Sequence, residues 1–333
     1  MIKLTYQQKN FPLAQVFRIA RGAKTQAEVI EVYLTSEGRV GRAESVPYRR
    51  YQETLESVCN QLDYVQSKLS SGVDLDTILQ AMAPGSAKNA VDCAYWDLKA
   101  KLENKKVEQL LELDTLSSCV TAQTLSIDTP ENMALATKKL NYPPLIKVKL
   151  DNEGIIEKMQ AIHQASPESK FIVDANEGWS IDDLVSCADT LAKLNVVLIE
   201  QPLPVGQDKA LIDYDFPVAL CADESCHTRK DLTYLKDRYD AINIKLDKTG
   251  GLTEAYLLNQ EARKMGFEIM IGCMVGSSLA MAPAFLLTGQ AKYVDLDGPL
   301  LVAQDRTHGF DIQQGMMPQL DERLWGGTSE QHY

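Results

Sequence analysis

Three acids, Asp174, Glu200 and Asp223, each close a short aliphatic run. They follow one another at near-even intervals, 26 residues from the first to the second and 23 from the second to the third. Any one of them alone could cap a helix or face solvent. Three at equivalent strand ends converge on one point, and an all-carboxylate set suits a hard cation. Mg²⁺ is favoured because it keeps waters and leaves room for substrate oxygens.

Lysines accompany the acids. In Leu145-Ile146-Lys147-Val148-Lys149-Leu150 the two lysines alternate with apolar residues and so share one face. Lys245 closes a later run, 22 residues beyond Asp223. A lone interior lysine usually pairs with an acid, but two lysines facing each other across a metal are harder to account for structurally. The metal and the opposite ammonium would both lower such a lysine from its ordinary value of about 10.4. One lysine could then remove a proton and the other return it from the opposite side. Asp295 and Asp297, two apart, also share a face and need a cation between or beside them.

These residues need strands to place them. From Cys119 onward, β-branched runs at 119–127, 145–150, 171–175, 196–200, 218–223, 241–246, 268–273 and 293–296 alternate with helical stretches. Eight βα units predict a modified TIM-type (β/α) barrel, whose functional side chains sit at the C-terminal strand ends. A doubly wound open sheet competes, but no glycine-rich phosphate loop follows the first run. Residues 1–45 alternate in the manner of antiparallel strands. Ala87, Ala90, Val91, Ala94 and Leu98 trace one face of a helix. Residues 1–117 therefore read as an α+β capping domain and 118–301 as the barrel. Residues 302–333 read as a segment returning to the cap.

Composition narrows the function classes. A formal charge of -12 argues against a broad nucleic-acid or anionic-membrane surface. Seven cysteines without a CxxC pair predict free thiols in a reducing compartment. The first residues show no secretory leader, and the apolar stretch 267–287 is broken by Gly272, Gly276 and Pro283. A soluble, cytoplasmic protein is expected, with homo-oligomerisation left open. His163, His227, His308 and His332 form no ligand set and are read as structural.

The ordered motifs Lys147-Val148-Lys149, Asp174-Ala175-Asn176, Glu200-Gln201-Pro202, Ala222-Asp223-Glu224-Ser225 and Asn243-Ile244-Lys245 resemble the enolase superfamily. Within it they resemble the branch of muconate-lactonising enzymes and dipeptide epimerases. Sites of that superfamily combine a lysine or histidine base with Mg²⁺. The resemblance implies that Asp174, Glu200 and Asp223 hold one Mg²⁺, with Lys149 and Lys245 as paired acid/base catalysts and Lys147 beside the substrate carboxylate. The metal would stabilise the enediolate left when the α-proton departs. Asp295-Leu296-Asp297-Gly298-Pro299 resembles the motif that holds the free ammonium of a dipeptide. Phe17-Arg18-Ile19-Ala20-Arg21-Gly22 resembles a capping loop in which an arginine, here Arg21, meets a glutamate side chain. Thr124 and Ser126, and residues 274–278, are expected to line the pocket.

The function implied is reversible 1,1-proton transfer at the α-carbon of the C-terminal residue of a dipeptide, L-Ala-D-Glu/L-Ala-L-Glu. Its rivals, an o-succinylbenzoate synthase, an N-acylamino acid racemase or a cycloisomerase, need no acids placed for an ammonium. A non-catalytic binding protein would tolerate loss of either lysine.

Overall fold

The computed structural model describes residues 2–19 and 22–328. The alternating N-terminal stretches form β1 (Lys3–Ile19), β2 (Gly22–Ser36) and β3 (Arg39–Ser45), an antiparallel sheet in that order. Ile30, Val32 and Leu34 of β2 are fully buried. Helices α1 (Leu55–Ser70), α2 (Leu75–Ala81), α3 (Ser86–Glu103) and α4 (Val107–Leu110) complete the region. Gly41 lets β3 approach α3, since a Cβ there would stand 2.2 Å from the carbonyl oxygen of Ala94.

Next come β4 (Ser118–Val120), β5 (Gln123–Leu125), α5 (Pro130–Lys139), β6 (Leu145–Lys149), α6 (Ile155–Ala165), β7 (Lys170–Asp174), α7 (Ile181–Lys193) and β8 (Val196–Glu200). They are followed by β9 (Ala219–Ala222), α8 (Leu232–Leu235), β10 (Ala241–Ile244), α9 (Leu246–Thr249), α10 (Leu252–Lys264) and β11 (Glu268–Gly272). The last elements are α11 (Ser278–Phe285), β12 (Tyr293–Asp295), α12 (Gly298–Leu301) and β13 (Met316–Pro318). Strands β5 to β12 form one parallel sheet in chain order. Its ends meet without a ladder: the Ala122 amide donates to the Val294 carbonyl at 2.8 Å and the Leu296 amide to Thr121 Oγ1 at 2.8 Å.

The run 119–127 is not one strand, contrary to expectation. Its first part, β4, pairs antiparallel with β13 of the C-terminal segment, and only β5 joins the barrel. The Thr121 amide, between them, donates to the carbonyl of Gly315. Two different partners claim the two halves, a demand that alternation alone does not reveal.

The C-terminal segment also reaches the first region. Arg42 donates to the Leu324 carbonyl at 3.0 Å, and the Gly326 amide to Asp97 Oδ1 at 2.7 Å. Buried Trp325 donates to the Cys93 carbonyl. No helix among the described residues is long and apolar enough to cross a membrane.

Candidate active site

Period-two geometry sends alternate residues of each barrel strand inward. Leu145, Ile172, Leu198, Cys221, Ala241, Met270 and Tyr293 form one apolar cluster. Two residues further along the same strands stand Lys147, Asp174, Glu200, Asp223, Asn243, Gly272 and Asp295. Gly272 leaves the space that Asn243 fills, because a Cβ there would lie 2.5 Å from Asn243 Oδ1. Asn243 uses that space to donate to Glu200 Oε1 at 2.8 Å.

The charged side chains satisfy one another. Lys147 Nζ lies 3.0 Å from Asp174, 2.6 Å from Glu200 and 2.7 Å from Asp295. Lys149 meets Asp174 at 2.5 Å, and Lys245 meets Asp223 at 2.7 Å and Glu200 at 3.8 Å. All are buried. Burial opposes the charge on Asp174 and Asp223, but the neighbouring lysines outweigh it and hold both below the usual carboxylate range. Glu200, pushed up by burial and by Asp174 despite Lys147, rises to about 7.

The carboxylates act on the lysines in the direction opposite to burial. Burial pulls Lys245 and Lys147 down, yet Asp223 and Glu200 for the first, and Asp295, Glu200 and Asp174 for the second, raise both above their ordinary value.

Among the described residues no three His, Cys, Asp or Glu side chains close around one point as a metal cluster. The lysine ammoniums stand between the acids instead. The donor set still fits a hard cation: three buried carboxylates, from adjacent strand ends, held together by positive charge.

A cavity of about 640 Å³ opens over this layer. Lys149, Asp223 and Lys245 line it, together with Asn176, Glu224, Cys273, Met274 and Val275. The far wall comes from the first region: Phe17, Ile19, Lys24, Tyr48, Arg49, Arg50 and Tyr51. Asp295 is buried with Oδ1 unmatched by any donor. Asp297 accepts from the Thr124 amide at 2.7 Å; burial and the charge of Asp295 push it up to about 7.

Several expected site residues serve other contacts. Thr124 uses its amide to hold Asp297, and Ser126 Oγ accepts the Arg18 amide at 3.2 Å. Met274 and Val275 line the cavity, whereas Ser277 and Ser278 bond to Glu44 and Asp305. Arg21 and His332 lie outside the described residues. His163 packs toward Phe171, His308 lies near Asp321, and His227 stacks edge-on with Tyr51 at 4.7 Å. All seven cysteines are free.

The structure gives roles to two residues to which the motifs alone assign none, Lys248 and Gln201. Lys248 Nζ reaches Asp223 Oδ1 at 2.6 Å and the Asn243 carbonyl at 2.9 Å. Gln201 accepts the amides of Asp223 and Ser225 at 2.9 and 3.0 Å, bracing two strand ends from a left-handed backbone with φ of 36°. The spacing Lys245 to Lys248, one helical turn, was the available signal for the first. For the second, the motif Glu200-Gln201-Pro202 marks the position, but not its contacts.

Comparisons with known proteins place the chain among proteins of the same fold. Residues 1–112 match the model of the mandelate racemase/muconate lactonizing enzyme N-terminal domain, and residues 134–322 the enolase C-terminal domain-like model. An N-acetyl-D-glutamate racemase of Pseudoalteromonas sp. is 52% identical over 302 residues, 90% of this chain and 96% of that protein. The L-Ala-D/L-Glu epimerase of Escherichia coli is 44% identical over 297 residues, covering 89% and 92%. An enolase family member from Agrobacterium tumefaciens, solved with sodium and L-Ala-L-Glu, superposes with a TM-score of 0.94 at 42% identity over 98% and 100% of the two chains. A dipeptide epimerase from Enterococcus faecalis, solved with Mg and L-Leu-L-Tyr, gives 0.89 at 26% over 99% of each. With both domain models matched in chain order over most of its length, the chain belongs to the mandelate racemase/muconate lactonizing enzyme family of the enolase superfamily.

Proposed function

We propose that this protein is an isomerase that moves the α-proton of a glutamate acylated on its nitrogen, with L-Ala-D-Glu and L-Ala-L-Glu as the interconverted pair. The observation that carries the reading is that Lys149 and Lys245, from β6 and the end of β10, line one cavity above three buried carboxylates. Two lysines reaching the same cavity from separate strands can take a proton from one face of a carbon and supply one to the other. In this reading Asp174, Glu200 and Asp223 hold Mg²⁺. The ion supplies Lewis-acid polarisation of the substrate carboxylate, which acidifies the adjacent C–H.

Lys147 sits among the acids as a fixed counter-charge for the same substrate carboxylate. Asp295 and Asp297 take the free ammonium, a role supported by the unmatched Asp295 Oδ1. Arg21, with Lys24 of the cavity wall, meets the distal carboxylate. The free thiols suit a reducing, cytoplasmic setting.

The relative named as an N-acetyl-D-glutamate racemase favours a second reading, in which the nitrogen carries acetyl instead of alanyl. One experiment separates them. L-Ala-L-Glu and N-acetyl-L-glutamate are incubated in D₂O with metal-replete and chelator-stripped protein, and deuterium uptake and inversion at the α-carbon are followed. The dipeptide reading expects Mg²⁺-dependent turnover, at least about tenfold faster for the dipeptide, and an Asp297→Asn penalty on the dipeptide alone. Equal or faster turnover of the acetyl compound supports the second reading. Full activity without metal removes the Mg²⁺ assignment.

A further inference from the structure

The wall formed by Cys273, Met274 and Val275 runs into a polar clasp where three parts of the chain meet. Glu44 on β3 accepts the Ser277 amide at 2.8 Å and also bonds the Ser277 hydroxyl. Arg306 from the C-terminal segment donates to Ser277 Oγ at 2.6 Å, pairs with Glu44 at 2.5 Å and reaches Glu31 of β2 at 3.2 Å. One residue on, the Ser278 amide donates to Asp305 Oδ1 at 2.9 Å, and Ser278 Oγ accepts the Phe310 amide at 2.8 Å. The first amides of α11 are thus capped by acids from two other parts of the chain.

The loop entering the clasp has no slack. A Cβ on Gly276 would stand 2.9 Å from Glu44 Oε1 and 3.1 Å from Val46 Cγ2. A Cβ on Gly298, beside Asp297, would stand 2.9 Å from the Gly276 carbonyl. Glu31 and Glu44 are 0% and 2% exposed; Arg306 is the ion-pair partner of Glu44 and shares Glu31 with Lys9, which lies 2.7 Å from it.

We infer that Arg306, Glu44 and Ser277 are positioning residues that fix the Cys273–Val275 wall against the first region, so that the cavity meets the acyl end of the substrate at a set width. None touches the reacting atoms. The clasp acts on binding: without it the substrate must order the wall itself, which appears in KM more than in kcat. This inference rests on the proposed function only for its kinetic arm.

The test uses Arg306→Met, Arg306→Lys and the milder Ser277→Ala in the full chain. Hydrogen-exchange mass spectrometry of the substrate-free proteins should show faster exchange over 273–281 and 44–51, with barrel strands β6 to β8 unchanged. Steady-state kinetics with L-Ala-L-Glu should show KM raised about tenfold in Arg306→Met, less in the other two, and kcat within about threefold throughout. Unchanged exchange over 273–281 in all three variants would overturn the clasp. So would a fall in kcat at constant KM, the mark of general destabilisation. If wild type failed to turn over any N-acyl glutamate, the function reading alone would fall, and the exchange arm would still decide the clasp.

Discussion

The barrel interior holds two layers built by the same strands, on the same inward face, only two residues apart. The lower is Leu145, Ile172, Leu198, Cys221, Ala241, Met270 and Tyr293. The upper is Lys147, Asp174, Glu200, Asp223, Asn243, Gly272 and Asp295. The lower layer stabilises the fold, each large aliphatic side chain contributing about 1.5–3 kcal/mol by leaving water. The upper layer works against burial, because every charge there loses hydration and recovers it only from a neighbour. The difference shows how a barrel divides its labour by height, stability below and chemistry above.

Removing a lysine from the upper layer should cost chemistry and spare the fold. Lys245→Ala leaves Asp223 paired with Lys248 at 2.6 Å, and Lys149→Ala leaves Asp174 paired with Lys147 at 3.0 Å. Each variant should therefore fold, and each should lose roughly 10²–10⁴-fold or more in epimerisation. Rates by chiral chromatography and a thermal melt test both halves. A variant that epimerised at the wild-type rate would assign the proton transfer elsewhere.

The converse change is made in the floor. Leu198 is fully buried, and Leu198→Ala should destabilise the protein by about 2–5 kcal/mol in urea unfolding. The remaining folded protein should retain kcat. Loss of kcat at full folding would mean that the two layers are not separable.

The smallest effect sharpens the distinction between paired and unpaired acids. Asp247, just past Lys245, is buried and accepts from neutral donors, the Val46 amide at 3.0 Å and Asn89 at 2.8 Å. Burial lifts it from 3.8 to about 7. Its folded value lies above its unfolded one, so ionisation costs nothing below about pH 4 and progressively more up to about pH 7. Asp247→Asn should thus gain stability relative to wild type across that window, by no more than about 4 kcal/mol. Parallel stability–pH curves for the two proteins would contradict the raised value.

Much of this was legible before any fold was known, because strand alternation and strand-end charge are local properties. Leu145 to Leu150 announces that Lys147 and Lys149 share a face, and even spacing announces βα units. The split of 119–127 between two sheets was not legible, since its cause, β13, lies nearly 200 residues away. Nor was the direction in which Lys245 shifts. That depends on which carboxylates stand within ion-pair distance, and here Asp223 at 2.7 Å and Glu200 at 3.8 Å raise it.

The sequence by itself determined which residue types stand at the strand ends, in what order and on which face, because a strand's period of two needs no partner. The tertiary structure decided the rest. Closure of β12 on β5 sets Asp295 against Lys147, 148 residues away in the chain. The fold also makes Gly272 the room for Asn243, and Gln201 and Lys248 the braces of Asp223. These are distances between segments remote in sequence. They are set by barrel closure and by the balance of burial against charge, and no local pattern encodes either.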